Sequence, residues 1–351
     1  MSSKGWLGNF FEDFQMDSAW TCPVPRTLTD GDRSTYLTFT GDRTPMFCGP
    51  EGFIHPLITF HTVLGQTVRQ ISLNARANLG YGGMRWGIPV LSGDTLTTSV
   101  RIVGLKENSS RQSGIAWVAT RAENQKGDMV LEYTRWVMVN KDTAEPTPYL
   151  EGPVVPTLPT VVSPDTFMLP STPRPSRNLT GGPYLFEDYR VGERVFHHDG
   201  NTVNASDHMG FTRLFQNSAK VHFDHLLTDN RPLVYGGIPI SYGYAQAYNG
   251  FENRMGICAM NGGVHANPVY SGDTLYTYTE VIDVDNISTE SPIGALRLRM
   301  VCLKNRNPAK SEEELDPQQE DPSRPGKKRY HKDVVLDLDY WELMPKSTDR
   351  P

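Results

Sequence analysis

Asn217 and His222 lie five residues apart in the string Arg213-Leu214-Phe215-Gln216-Asn217-Ser218-Ala219-Lys220-Val221-His222-Phe223-Asp224. An imidazole has an ordinary pKa of about 6.5, so His222 could take a proton from water near neutral pH. An asparagine amide can orient a water molecule but cannot deliver a proton. By residue type alone both side chains have plainer readings. His222 is one of nine histidines, any of which could be structural, and Asn217 is a common turn former. Asp224 is the nearest carboxylate, and Lys220 and Arg213 are the nearest cations. Gly236 and Gly237 precede an apolar segment. At the start of a helix they would offer unpaired N–H groups to an oxygen that can approach closely; otherwise they are loop glycines. The pairs His197-His198 and His222/His225 lack an H-E-x-x-H setting, so no metal site is expected.

These groups must be held by elements that the chain states twice. Residues 89–96 read Pro-Val-Leu-Ser-Gly-Asp-Thr-Leu and residues 268–275 read Pro-Val-Tyr-Ser-Gly-Asp-Thr-Leu, an offset of 179. Phe11-Glu12-Asp13-Phe14 is matched by Phe186-Glu187-Asp188-Tyr189 at an offset of 175. Landmarks in the same order at nearly the same offset indicate a tandem duplication. The expected division is a first half over 1–150, a linker over 151–183 and a second half over 184–351. The linker region is proline-rich, with 10 of the 26 prolines between Pro146 and Pro183, and should run extended over the surface.

Each half predicts one apolar helix followed by strands. The helices are expected at Pro56–Thr67 and Ser241–Phe251. The strands are expected at 68–79, 95–105, 114–122 and 129–139, then at 256–265, 274–282, 295–303 and 332–343, from their β-branched and aromatic content. Residues 304–328 read as a long exposed hairpin loop. The fold class is α+β, with an antiparallel sheet wrapped around each apolar helix. The Ser-Gly-Asp-Thr segments read as turns with no chemistry of their own.

Composition limits the function. The chain has 351 residues, is 38% hydrophobic and carries a formal charge of -6, with mean hydropathy -0.45. It holds enough apolar residue for a core, no apolar run long enough to span a bilayer, and no excess of basic charge for nucleic acid. Four scattered cysteines argue against a disulfide scaffold, so a cytoplasmic protein is the expectation.

The helix wrapped by a sheet, with its P-V-x-S-G-D-T-L turn, resembles the hot-dog fold, and the duplication resembles the double hot-dog, MaoC-like hydratases. Their motif has the form Gly-Asp-x-Asn-Pro-Leu-His. The first half has Gly41-Asp42-Arg43-Thr44-Pro45-Met46-Phe47, without the histidine; the second has Asn217 in the aspartate position and keeps His222. The second-half string, with Tyr235-Gly236-Gly237 and Ile240-Ser241 after it, is similar to the mesaconyl-CoA hydratases (β-methylmalyl-CoA dehydratases) within that family.

The resemblance implies a cofactor-free hydro-lyase that adds water to an α,β-unsaturated acyl-CoA, coenzyme A being part of the substrate. It implies that His222 is the base and that Asn217 orients the water. Gly236 and Gly237 would form an oxyanion hole, and Lys220 or Arg213 would meet a substrate carboxylate. Asp42 or Asp224 would serve as an auxiliary acid, with Asp42 otherwise a turn residue in a degenerate copy that shapes the pocket. Three other readings stand beside it: a general (R)-specific enoyl-CoA hydratase or dehydratase, a thioesterase, and a non-catalytic acyl-CoA-binding protein. The absence of Asp or Glu from both helix candidates, with Glu252 just beyond the second, counts against the thioesterase. A homodimer is left open, and neither a nucleic-acid nor a membrane partner is expected.

Overall fold

Proline at a first helical turn costs no hydrogen bond, because those N–H groups have no intrahelical partner. Pro56 opens the first central helix on this rule, and the helix runs over Pro56–Thr67 as predicted. The second central helix is Gly237–Gln246, four residues earlier at its start than the expected Ser241. The same rule explains the difference, since Pro239 lies in the first turn and does not exclude it. Both helices are predominantly apolar, and nearly all their residues are buried on every side.

The computed structural model describes residues 4–50, 52–147, 149–170, 177–311 and 315–347. Its core is one 11-stranded antiparallel sheet. From one edge the main strands run Thr95–Glu107, Ser113–Glu123, Met129–Asn140, Ala75–Trp86, then Gly256–His265, Val334–Pro345, Ile293–Lys304 and Thr274–Asp285. The second set repeats the first in reverse spatial order, which is the pattern of two copies related by a twofold axis. The axis passes between Ala75–Trp86 and Gly256–His265, where Gly82 pairs with Gly262. Short strands at Ala19–Thr21 and Arg194–Thr202 extend the two edges.

The repeated turns are built alike. Leu91 N–H donates to Asp94 at 2.9 Å and Tyr270 N–H donates to Asp273 at 2.9 Å. Gly93 and Gly272 take the left-handed conformation at φ 99° and 96°, which a side chain would resist.

Two expectations need correction. Residues 68–72 continue the first central helix as a wide π-turn, and the strand begins only at Ala75. Val68 and Ile71 are both fully buried in this form, and that packing outweighs strand propensity. Each half also has a second helix, Asp30–Thr40 and Ala205–Leu214, where no helix is predicted. These are polar, half-exposed helices with weak apolar periodicity, and the first begins on a capping box between Thr29 and Asp32. The segment 304–328, expected as a long hairpin loop, joins the paired strands Ile293–Lys304 and Val334–Pro345 and adds a small ladder of its own, Gln318–Glu320 with Lys328–Tyr330.

The described part of the proline-rich segment touches the sheet in both halves. Val154 pairs with Leu105, and Val162 N–H donates to Asn261 Oδ1 at 2.7 Å. Among the described residues no helix is long and apolar enough to cross a membrane.

Candidate active site

The motif segment of the second half is shaped by a left-handed residue. Gln216 has φ 54°, and Gly41 at the same place in the first half has φ 68°. Each is followed by a side chain that turns back on the chain. Thr44 N–H donates to Asp42 Oδ1 at 2.7 Å, and Ala219 N–H donates to Asn217 Oδ1 at 3.1 Å. The turn form is therefore common to both halves, while the surroundings differ.

In the second half the turn faces a cavity of about 290 Å³. Asn217, His222, Tyr235 and Gly236 line it from the second half, and Leu64, Tyr81 and Arg135 line it from the first. The Asn217 carbonyl oxygen is already used, so its NH₂ end is left to donate. His222 Nδ1 lies 2.8 Å from the Leu233 carbonyl. A carbonyl only accepts, so Nδ1 carries the proton and Nε2 holds the lone pair. Among the described residues nothing bonds to Nε2. Burial pushes the His222 pKa down to about 4, against the Leu233 hydrogen bond, which raises it. The imidazole is therefore neutral, in the form that accepts a proton.

Two residues absent from the sequence reading hold this geometry. His208 Nε2 donates to the His222 carbonyl at 3.1 Å, and its Nδ1 faces the Tyr235 N–H at 3.4 Å. It ties the histidine segment to the start of the second central helix. Gly65, on the first central helix, lies directly against the Asn217 turn. A Cβ there would be 1.8 Å from the Phe215 carbonyl oxygen.

The two helix starts differ in one respect that bears on chemistry. In the first half His55 Nδ1 accepts from the Leu57 N–H at 3.0 Å and caps the helix. Tyr235 stands at the matching position in the second half, and its hydroxyl is turned to His61 Nδ1 at 3.0 Å. The Gly236 and Gly237 amides consequently have no acceptor among the described residues. Gly236 lines the cavity, packed so closely on His265 that a Cβ would be 2.6 Å from its Cε1. Gly237 lies behind it, against Tyr235 and His61, and is not part of the lining.

The remaining sequence candidates are placed elsewhere. Lys220 Nζ donates to Asn74 Oδ1 at 2.7 Å and to the Leu7 carbonyl at 3.2 Å, outside the cavity. Arg213 is exposed, 5.7 Å from the centre of the Phe223 ring. Asp224 is exposed and accepts from Leu226 and Leu227 N–H. Asp42 is buried in the first-half copy, 3.1 Å from Arg254 Nη2 and 3.4 Å from His55 Nε2. Arg254 and these hydrogen bonds outweigh the burial of Asp42 and hold its carboxyl well below the usual range. A carboxyl so held is already ionised near neutrality and has no proton to donate. That copy is closed by Arg254 and by Phe47, whose ring lies 4.5 Å from the His55 ring. None of these four residues reaches the cavity that holds His222. Glu252 accepts from Gly250 N–H and is likewise outside it.

Comparison with known proteins fixes the family. The sequence model of mesaconyl-CoA hydratase matches residues 8–313. The chain belongs to the mesaconyl-CoA hydratase family. It is 44% identical to a mesaconyl-CoA hydratase of Cereibacter sphaeroides, covering 97% of this chain and 98% of that one. It is 41% identical to a β-methylmalyl-CoA dehydratase of Chloroflexus aurantiacus, covering 99% of each. A solved MaoC domain dehydratase from Chloroflexus aurantiacus superposes with TM-score 0.90 at 38% identity, over 99% of this chain and 100% of that one. A Mycobacterium tuberculosis protein with a double hot-dog fold superposes with TM-score 0.73 at 23% identity, over 96% and 98%, a likeness of fold alone. The protein is thus a hydro-lyase of the double hot-dog, MaoC-like class, and its reaction is the hydration of an unsaturated acyl-CoA.

Proposed function

We propose that this hydro-lyase interconverts mesaconyl-CoA and β-methylmalyl-CoA, the compounds for which its relatives are named. One observation carries the mechanism: a neutral His222 with a free Nε2 shares one cavity with the Asn217 NH₂ group and the Gly236 amide.

Water is held by donation from the Asn217 amide to its oxygen and by its own donation to His222 Nε2. As the oxygen bonds to the β-carbon, His222 takes the proton. The π electrons move toward the thioester oxygen, which the Gly236 N–H and the N-terminal end of the helix stabilise. The enolate then takes the proton from the imidazolium at the α-carbon. Atoms and charge balance with one histidine, and both additions fall on one face of the double bond. Coenzyme A enters as part of the substrate, and no cofactor is called for.

The test is the loss of enoyl-thioester absorbance with mesaconyl-CoA and with crotonyl-CoA, for the native protein and for His222→Ala. Rapid loss with mesaconyl-CoA, slow loss with crotonyl-CoA and an inactive variant are expected. Comparable rates on both would replace this reading with a general enoyl-CoA hydratase. Thiol release without hydration would replace it with a thioesterase.

A further inference from the structure

Arg135 is one of the largest fully buried side chains in the protein, 1% exposed, and it lines the cavity beside His222 and Asn217. A guanidinium is a positive charge with five N–H donors. Nη1 donates to Asn78 Oδ1 at 3.1 Å, and Nη2 donates to Thr67 Oγ1 at 3.0 Å and Ser72 Oγ at 3.2 Å. All three acceptors are neutral. Nε is buried and has no partner. Among the described residues no carboxylate lies within ion-pair distance of it, and neither Asp nor Glu lines the cavity. The other large buried cation, Arg254, shows the ordinary arrangement, with Asp42 at 3.1 Å.

A buried charge without a counter-ion is strongly unfavourable. The neutral acceptors hold the guanidinium in place without neutralising it, and the buried Nε–H is left without an acceptor. An anion entering the cavity would complete the site. A simple enoyl chain brings no anion there. A dicarboxylic acyl group brings one.

We propose that Arg135 binds the free carboxylate of a dicarboxylic acyl-CoA and selects that acyl group over uncharged ones. This rests on the reading of the cavity as the hydration site. The two halves then have distinct tasks: the second supplies the water-activating groups and the first supplies the charge that recognises the substrate.

Binding separates this assignment from the reaction. Titration calorimetry on the full chain with the saturated, unreactive thioesters methylsuccinyl-CoA and butyryl-CoA should show preference for the dicarboxylic ligand. Arg135→Gln should cut that preference about 100-fold, the order expected when a buried charge loses its partner. Arg135→Lys keeps the charge without the planar fork and should retain an intermediate preference. The ratio of kcat/KM for mesaconyl-CoA over crotonyl-CoA should fall in the same order. Equal losses for both ligands would mean that Arg135 only supports the fold, and an unchanged preference would mean that the carboxylate binds elsewhere. Either overturns the proposal. If Arg135→Gln does not fold, the lysine variant decides alone, and an unaltered preference in it overturns the proposal. Selective binding through Arg135 without hydration of mesaconyl-CoA would instead remove the proposed reaction and leave the carboxylate site.

Discussion

His61 and Ser241 hold the same place in the two copies of the fold, 180 residues apart in sequence, and they hydrogen-bond to each other at 2.8 Å. The two central helices therefore meet at the pseudo-twofold axis through a buried polar contact. The other nitrogen of His61 faces the Tyr235 hydroxyl at 3.0 Å, so the first helix holds the residue that starts the second. His61→Leu should leave two buried hydroxyls unpaired and lower stability by about 2–4 kcal/mol. A denaturation midpoint equal to the native one would show that the contact carries no weight.

Gly65 sets the position of Asn217. A methyl group at Gly65 would be 1.8 Å from the Phe215 carbonyl oxygen, which is backbone and cannot rotate away. Gly65→Ala should push the turn outward and lower kcat about 100-fold, the order expected for a displacement of about 1 Å in a positioned group. Full activity in this variant would separate Asn217 from the reaction.

The His222 pKa is pushed down to about 4 by burial. The free enzyme should keep its base unprotonated as pH falls through 6.5, and the acid limb of kcat/KM should lie near 4. An acid limb at the ordinary histidine value would mean that water reaches the ring freely. Asn217→Asp would bring a carboxylate to the same cavity, favour the imidazolium and move this limb upward.

Neutral burial of His222 also links to stability. A folded pKa below the unfolded one gives stability that is present above about 6.5 and is lost as pH falls toward about 4. His222→Gln should flatten the pH dependence of the unfolding midpoint in that window.

Glu342 shows the opposite sign. It is buried 1% exposed, accepts from Tyr244 and Gly256, and stands near an Arg254 whose charge is already matched by Asp42. Burial raises its pKa to about 7. The stability it contributes is present below about 4.5 and lost as pH rises through about 7. Glu342→Gln should therefore raise the unfolding midpoint at pH 8 more than at pH 5. Equal shifts at both would show that Glu342 is ionised in the same range as an exposed carboxylate.

The duplication, the first central helix and the eight long strands are legible because each is local. The repeat is written in the turns Pro89–Leu96 and Pro268–Leu275, and the helix and strands are written in short-range apolar periods. The Asn217–His222 string is equally local, since one turn carries both groups to the same cavity. Arg135 was also within reach of the sequence. It falls on the buried parity of its strand with Leu131, Tyr133 and Val137, where a charge on an otherwise apolar face signals a partner to be found.

Strand parity marks Arg135 as inward-facing, but only the tertiary structure brings it, and not Lys220 or Arg213, to the cavity. Lys220 and Arg213 are close to His222 along the chain, yet their long side chains reach outward to Asn74 and Phe223. Arg135 is 87 residues away and comes to the cavity because the sheet closes the first half over the second. The same closure gave Asp42 to Arg254, across 212 residues, and sealed the first-half copy of the motif. Chain spacing determines what a turn can hold together. Burial and charge pairing across the pseudo-twofold axis determine which groups remain open to a substrate.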